Sequence, residues 1–139
     1  MLIFSNQLGS SSLTSKSHVI IFGSSQGLLS FFTSFAYPHC ICRGYEVLPA
    51  LHEVSTSIRK RYNLKNVHFY LEDMMNADVS SASVIVLTSL CWDVKTRKAV
   101  ALKLSQEVYI SFCKCAVIKL RICYIVRGYV SVGQNILHV

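Results

Sequence analysis

HVIIFGSSQG, residues 18–27, is the stretch of sequence that decides the predicted fold. Its first half is a short β-branched and aromatic run, which predicts a buried strand. Its second half is a tight glycine-serine turn, and the almost wholly apolar segment LLSFFTSFA follows before Pro38. The pattern predicts a strand, a glycine-rich turn and a helix that other parts of the protein must cover on most sides.

Strands and helices alternate along the rest of the chain. Pro49 is well placed in the first turn of an amphipathic helix, and Asp93 is well placed to cap a later one. Such alternation is typical of right-handed βαβ units, so we predict an α/β fold with a Rossmann-like, doubly wound, mostly parallel sheet. The predicted strands are His18–Phe22, Cys40–Val47, Val67–Leu71, Ala82–Leu87 and Val108–Phe112.

The length of 139 residues suits one domain with a real core. We divide the chain into a poorly ordered leader (1–17), a Rossmann-like core (18–113) and a divergent tail (114–139). The apolar pattern of the tail does not decide between strands and helix. We expect this fold to be truncated at both ends.

A membrane span is the first alternative to test, because 52% of the residues are hydrophobic. The longest run without charged residues, Ser17–Cys42, has the length of a span, but its middle holds a cluster of Gly, Ser and Gln. The N-terminal residues also make a poor secretory signal. We therefore expect no membrane partner and a location in the nucleus or cytoplasm, and rank a small membrane-associated protein as the third alternative.

The six cysteines are expected to be reduced thiols. Two CxC pairs, Cys40 with Cys42 and Cys113 with Cys115, offer thiolates to zinc, although strand spacing favours buried apolar roles. The histidines have no metal-ligand spacing, so we predict no metal site. Cys91 lacks a neighbouring base, which makes a nucleophilic role the less favoured interpretation.

The net charge of +7 suits an anionic partner such as nucleic acid, chromatin or an acidic protein surface. One basic group, Arg59, Lys60, Arg61 and Lys65, lies at a predicted helix end. A second group lies in the segments 95–103 and 114–127. A solvated helix face with favourable charges near a helix C-terminus is the simpler explanation of the first group. Contact with nucleic acid through these residues stays open.

Three features meet where ligands bind in open parallel sheets, beyond the carboxyl ends of the strands. The GSSQG turn follows the first strand, Glu46 ends the second and Asp73 follows the third. Glycines let backbone amides approach a ligand, and an acidic residue at the end of the second strand can accept hydrogen bonds from ribose hydroxyls. A nicotinamide fingerprint is the weaker interpretation, because only Gly23 of its three glycines is present.

The turn resembles the DLGSGxG motif of class I S-adenosylmethionine-dependent methyltransferases, with residues 21–27 at its successive positions. RGYEVLPALHEVSTSIRKRYN (43–63), YLEDMMNAD (70–78) and SASVIVLTSLCWD (81–93) are similar to segments of the non-SET histone-lysine methyltransferases, the disruptor of telomeric silencing type. The resemblance covers roughly residues 19–112. It implies S-adenosylmethionine as cofactor, a protein lysine as methyl acceptor, and a histone or nucleosome as partner.

The resemblance also implies roles for single residues. The glycine turn would pass the methionine part of the cofactor, Glu46 would bind the ribose, Asp73 would face the adenine amino group, and residues 88–92 would line the pocket near the transferred methyl. Catalysis in such enzymes is mainly placement of the acceptor amine, so no catalytic residue is assigned. The implied cofactor-binding residues are Gly23, Ser24, Ser25, Gly27, Glu46, Asp73 and Thr88.

Three positions depart from the family pattern: Ile21 replaces an aspartate, Ser25 replaces a glycine and Thr88 replaces an asparagine. These changes remove favourable contacts with the cofactor and place a Cβ at Ser25, where a positive φ would be costly. An inactive or truncated methyltransferase-like binding module, a possible pseudoenzyme, is therefore the alternative to an active methyltransferase.

Overall fold

The protein forms one mixed β-sheet with helices on both faces. The structure is a computed structural model and describes residues 13–89, 92–110, 116–122 and 132–136. The elements are β1 (His18–Phe22), α1 (Leu28–Ala36), β2 (Ile41–Glu46), α2 (Pro49–Arg61), β3 (Val67–Leu71), β4 (Val84–Leu87), α3 (Val94–Ile110), β5 (Ala116–Ile122) and β6 (Val132–Ile136).

The strand order in the sheet is β3-β2-β1-β4-β5-β6. Strands β1 to β5 are parallel, and β6 pairs with β5 in the antiparallel sense. The chain builds outward from β1 to β3, then returns to the other side of β1 for β4 and β5. This reversal is the switch point of a doubly wound sheet. The predicted Rossmann-like α/β class is confirmed.

Each face of the sheet has its own apolar cluster because side chains alternate along a strand. Val19 and Ile21 of β1 pack with Phe31 of α1 on one face. Ile20 and Phe22 pack on the other face, where α3 contributes Val100 and Leu104. The strands β1 and β4 are buried almost completely, as the centre of a parallel sheet requires.

The helix α1 has an inverted distribution of side chains. Its buried residues are Ser30, Phe31, Thr33 and Ser34, three of them hydroxylic. Its outer face carries Leu28 (82% exposed), Phe32 and Phe35 (67% exposed), at helical spacing. We expected an apolar helix covered on most sides, and the described residues leave this stripe uncovered.

The helix α3 overturns one predicted element. We predicted a strand at Val108–Phe112, but Val108 to Ile110 form the end of α3. Asp93 caps the start of the helix, because its carboxylate accepts a hydrogen bond from Thr96 N at 2.6 Å. The helix also contains the ion pair Lys103–Glu107, shortly before the apolar run. No glycine or proline interrupts the helix there, so it continues through residues that alone favour a strand.

The fifth strand instead comes from β5, at 116–122, and β6 follows at 132–136. Both lie in the segment 114–139, where the sequence pattern was ambiguous. The leader residues 1–12, Cys91, Phe112 and the pair Cys113 and Cys115 lie outside the described residues.

The apolar segment 17–42 is divided into β1, the glycine turn and α1 rather than forming one helix. In the described part of the chain, no helix combines the length and the apolar character needed to cross a bilayer.

Candidate functional site

The candidate site is the edge of the sheet where β1, β2, β3 and β4 end. The turn 23–27 follows β1, Glu46 closes β2, Asp73 lies two residues after β3, and Thr88 follows β4. The structure thus brings every sequence-predicted site residue to one edge. The binding role of each remains a prediction.

The turn after β1 uses left-handed backbone at three positions. Its positive φ angles are 74° at Gly23, 53° at Ser25 and 87° at Gly27. Gly23 N and Ser24 N both donate to the carbonyl of Tyr45, at 3.0 and 2.9 Å, so the turn is bound to the end of β2. The methyltransferase motif that this turn resembles has glycine at the position of Ser25. The positive φ at Ser25 is a conformation that L-residues rarely adopt.

Thr88 fixes the start of this turn from β4. Its hydroxyl lies 2.7 Å from the carbonyl oxygens of both Phe22 and Gly23, which share its single O–H donor. A Cβ at Gly23 would lie 2.6 Å from that hydroxyl and 3.6 Å from the ring of Trp92. Gly23 is therefore required for close packing as well as for its backbone conformation.

Glu46 is buried and connects β2 to the turn. Oε2 accepts a hydrogen bond from Ser25 N at 2.9 Å, while Oε1 accepts from Val47 N at 2.9 Å and Leu48 N at 3.0 Å. A carboxylate has about four lone-pair positions. These three amides therefore leave one acceptor position, on Oε2, for a ligand hydroxyl.

A glycine inside β2 makes room for the turn. A Cβ at Gly44 would lie 2.7 Å from Cβ of Ser24, whose side chain is buried against β2. Sequence reasoning missed Gly44, although a glycine in the middle of a strand commonly marks a close approach of another segment. The hydroxyl of Ser24 has no hydrogen-bond partner among the described atoms.

Asp73 is exposed and organises the loop after β3. Its Oδ1 accepts a hydrogen bond from Met75 N at 2.9 Å. Next to this loop, Tyr45 and Tyr70 stack with ring centroids 5.0 Å apart. Burial raises the pKa of Tyr45, so its hydroxyl stays protonated near neutral pH.

Exposed apolar side chains surround the edge. Sequence reasoning did not single out Val47 and Leu48, which follow Glu46 directly. Their position next to the acidic residue at the end of β2 could have indicated a role in the site, because ligand sites typically combine apolar side chains with a few polar groups. The exposed apolar residues near this edge are Leu28, Val47, Leu48, Leu71, Met75 and Val94.

Ile21 does not face the open edge. Its side chain is fully buried in the cluster with Phe31, Cys42 and Val86. A carboxylate at this position would therefore lie in the apolar layer beneath α1.

The two described cysteines are buried and free. Burial raises the pKa of Cys42 to about 12, which keeps this thiol protonated. Within the described ranges, no group of three or more His, Cys, Asp or Glu side chains could hold a metal ion.

No protein-family model matches the chain, and no curated protein matches its sequence. Solved structures do match. An RNA methyltransferase from Salinibacter ruber, in complex with S-adenosyl-L-homocysteine, is similar with a TM-score of 0.64 and 16% identity, over 84% of this chain and 72% of that one.

Two further methyltransferase structures are similar. Coclaurine N-methyltransferase, bound to N-methylheliamine and S-adenosylhomocysteine, has a TM-score of 0.66 and 20% identity, over 80% of this chain and 32% of its own. PKMT2 from Rickettsia typhi, in complex with AdoHcy, has a TM-score of 0.65 and 13% identity, over 78% of this chain and 21% of its own. The chain thus spans less than a third of either protein. It has the Rossmann-like fold of class I S-adenosylmethionine-dependent methyltransferases.

Proposed function

We propose that the chain binds S-adenosylmethionine at the edge formed by β1 to β4 and takes part in methyl transfer. The observation that carries this proposal is the buried carboxylate of Glu46, which contacts the glycine turn through Ser25 N at 2.9 Å. A turn with left-handed backbone beside a fixed carboxylate at the end of β2 suits a nucleoside.

The residues at this edge fit the cofactor in several respects. Glu46 has one acceptor position left for a ribose hydroxyl, and Val47 is exposed directly beside it, where it offers an apolar surface to adenine. Four of the seven acidic residues lie near this edge, and they suit the positive charge of a sulfonium. These four are Glu46, Glu72, Asp73 and Asp93.

S-adenosylmethionine supplies a methyl group on a positively charged sulfur. The protein binds and orients the cofactor beside an acceptor nucleophile, and catalysis by placement needs no covalent intermediate. Trp92, which lies beside Gly23, would border the open side of the turn and help to exclude water.

For the acceptor, we favour a protein lysine, with histones or nucleosomes as partners and the nucleus or cytoplasm as location. The support is the resemblance of the segments 43–63 and 70–93 to the non-SET histone-lysine methyltransferases. Transfer of labelled methyl from S-adenosylmethionine to histone octamers or nucleosomes tests this acceptor. Labelling of RNA but not of histones would contradict it.

A binding module without activity is the second candidate. Two observations favour it: the Cβ of Ser25 stands on left-handed backbone, and Ile21 places an apolar side chain where the resembling family has a carboxylate. This candidate predicts binding of the cofactor without transfer to any acceptor.

Calorimetric titration with S-adenosylhomocysteine tests the binding site itself. We expect saturable binding that Glu46→Ala weakens about tenfold or more, because a hydrogen bond to a charged group is lost. Glu53→Ala, on the exposed side of α2, is the matched control and should leave affinity unchanged. No binding by the folded wild-type chain, or equal losses in both variants, would refute the proposal.

A further inference from the structure

A basic-aromatic patch lies at the end of the molecule opposite to the candidate site. The patch consists of Lys60, Arg61, Tyr62 and Lys65 around the C-terminus of α2, together with Phe35 near the C-terminus of α1. All five side chains are exposed, Tyr62 by 64% of its surface. The Arg61 guanidinium lies 5.9 Å from the centroid of the Tyr62 ring.

The fold brings the two helix ends together through Asn66. Ser34 donates from Oγ to Asn66 Oδ1 at 2.6 Å, and Asn66 Nδ2 donates to the carbonyl oxygen of Ser34 at 3.1 Å. Asn66 directly follows Lys65, and Ser34 directly precedes Phe35. The chain neighbours of Phe35 and of Lys65 are thus hydrogen-bonded to each other, which brings the C-terminal ends of α1 and α2 to the same end of the molecule.

Stabilisation of the helix terminus does not account for all of these cations. Arg59 serves the fold, because its Nε donates to the carbonyl of Val67 at 2.6 Å. Among the described side chains, the single ion pair is Lys103–Glu107, so Lys60, Arg61 and Lys65 have no described carboxylate partner. Three exposed cations and two exposed rings exceed what a helix C-terminus requires.

Acidic residues are absent from the two chain segments that carry the patch. Between residues 54 and 71 the chain has no acidic residue, and α1 has no charged residue at all. The acidic residues Glu46, Glu72, Asp73 and Asp93 lie at the opposite edge of the sheet. A polyanion is therefore attracted to the patch and repelled from the candidate cofactor site.

We propose that the basic-aromatic patch binds single-stranded nucleic acid. Lys60, Arg61 and Lys65 would contact phosphates, while Tyr62 and Phe35 would stack on unpaired bases. Positive charge combined with exposed rings is typical of surfaces that bind single strands, because every base offers a flat face. An acidic protein surface would use the cations but leave the rings in water, and a duplex keeps its bases stacked inside.

The test is fluorescence anisotropy of a short labelled oligouridylate with the full chain, over a series of salt concentrations. Each phosphate contact to a single strand contributes about −0.7 to the slope of log affinity against log salt. The triple variant Lys60→Ala, Arg61→Ala, Lys65→Ala should therefore reduce the magnitude of the slope by roughly 2. Tyr62→Ala should weaken binding roughly 5- to 150-fold, and Tyr62→Phe should retain it.

The matched control is the triple variant Lys95→Ala, Arg97→Ala, Lys98→Ala, which removes the same charge from exposed positions on α3. It should keep both the affinity and the slope. Equal losses in the two triple variants would show general attraction to a basic protein and would overturn the proposal.

A second arm distinguishes an acidic protein from nucleic acid. Binding of polyglutamate as tightly as the oligouridylate, with no effect of Tyr62→Ala, would also overturn the proposal. Circular dichroism checks that each variant is folded. Tyr62→Leu, which keeps an apolar side chain but lacks the ring, replaces Tyr62→Ala if that variant fails to fold.

Discussion

Replacing Ser25 with glycine should stabilise the chain and improve its cofactor site at the same time. Ser25 has φ of 53°, and left-handed backbone costs an L-residue about 1–2 kcal/mol. Glycine loses more backbone entropy on folding, which costs about 0.5–1 kcal/mol. The expected net gain is about 0.5–1 kcal/mol in the free energy of unfolding, or a rise of about 2–5 °C in Tm. Urea and thermal unfolding measure both quantities.

The effect on ligand binding distinguishes a change at the cofactor site from a general gain in backbone stability. Ser25 is exposed on the turn, so removal of its side chain opens the space next to the amides that a cofactor would approach. We expect Ser25→Gly to tighten S-adenosylhomocysteine binding up to about tenfold, equivalent to about 1.4 kcal/mol. Asn63→Gly is the control, because Asn63 has φ of 50° at the end of α2. Loss of stability in Ser25→Gly, or equal tightening in both variants, would refute the reasoning.

Three further perturbations test other parts of the structure. Thr88→Val should lower the free energy of unfolding by about 1–3 kcal/mol, because the carbonyls of Phe22 and Gly23 lose their hydroxyl donor, and it should weaken cofactor binding in the same titration. Ile21→Asp should cost several kcal/mol, because it buries a carboxylate in an apolar cluster, and an unchanged Tm would contradict the placement of Ile21. The raised pKa of Cys42 predicts that stability falls as pH increases from about 9 towards 12, since only the unfolded thiol ionises there, and Cys42→Ala should remove this part of the pH dependence in urea unfolding.

Most of the fold could be predicted from local patterns. β1 and β3 have the predicted bounds, because short β-branched and aromatic runs end there at a turn or at acidic residues. α2 begins at Pro49, as the preference of proline for the first helical turn predicted. The predicted strand at Val108–Phe112 was wrong. Its residues alone favour a strand, but α3, which already includes the ion pair Lys103–Glu107, continues through Val108 to Ile110.

The site was harder to predict, since it depends on contacts between distant segments. The sequence predicted that Glu46 lies at the end of β2. It did not predict that the carboxylate of Glu46 accepts hydrogen bonds from three backbone amides. Thr88 was recognised as a departure from the family pattern. Its hydrogen bonds to the carbonyls of Phe22, the last residue of β1, and Gly23, the first of the turn, follow from the pairing of β1 with β4, which no local pattern reveals.

The inverted side chains of α1 have a consequence for the order in which the molecule opens. Because Leu28, Phe32 and Phe35 already lie in water, the apolar surface of the helix that detaching α1 would newly expose is limited to Leu29 and Phe31. Detachment would also uncover the sheet side chains beneath the helix, such as Val19 and Ile21, and would replace the hydrogen bond from Ser34 to Asn66 by one to water at small net cost. We expect amide hydrogens of α1 to exchange through a local opening before those of β1 and β4, which are buried almost completely in the sheet. Since α1 begins directly after Gly27, each opening also loosens the turn, and a ligand that holds the turn closed would slow hydrogen exchange along the whole helix.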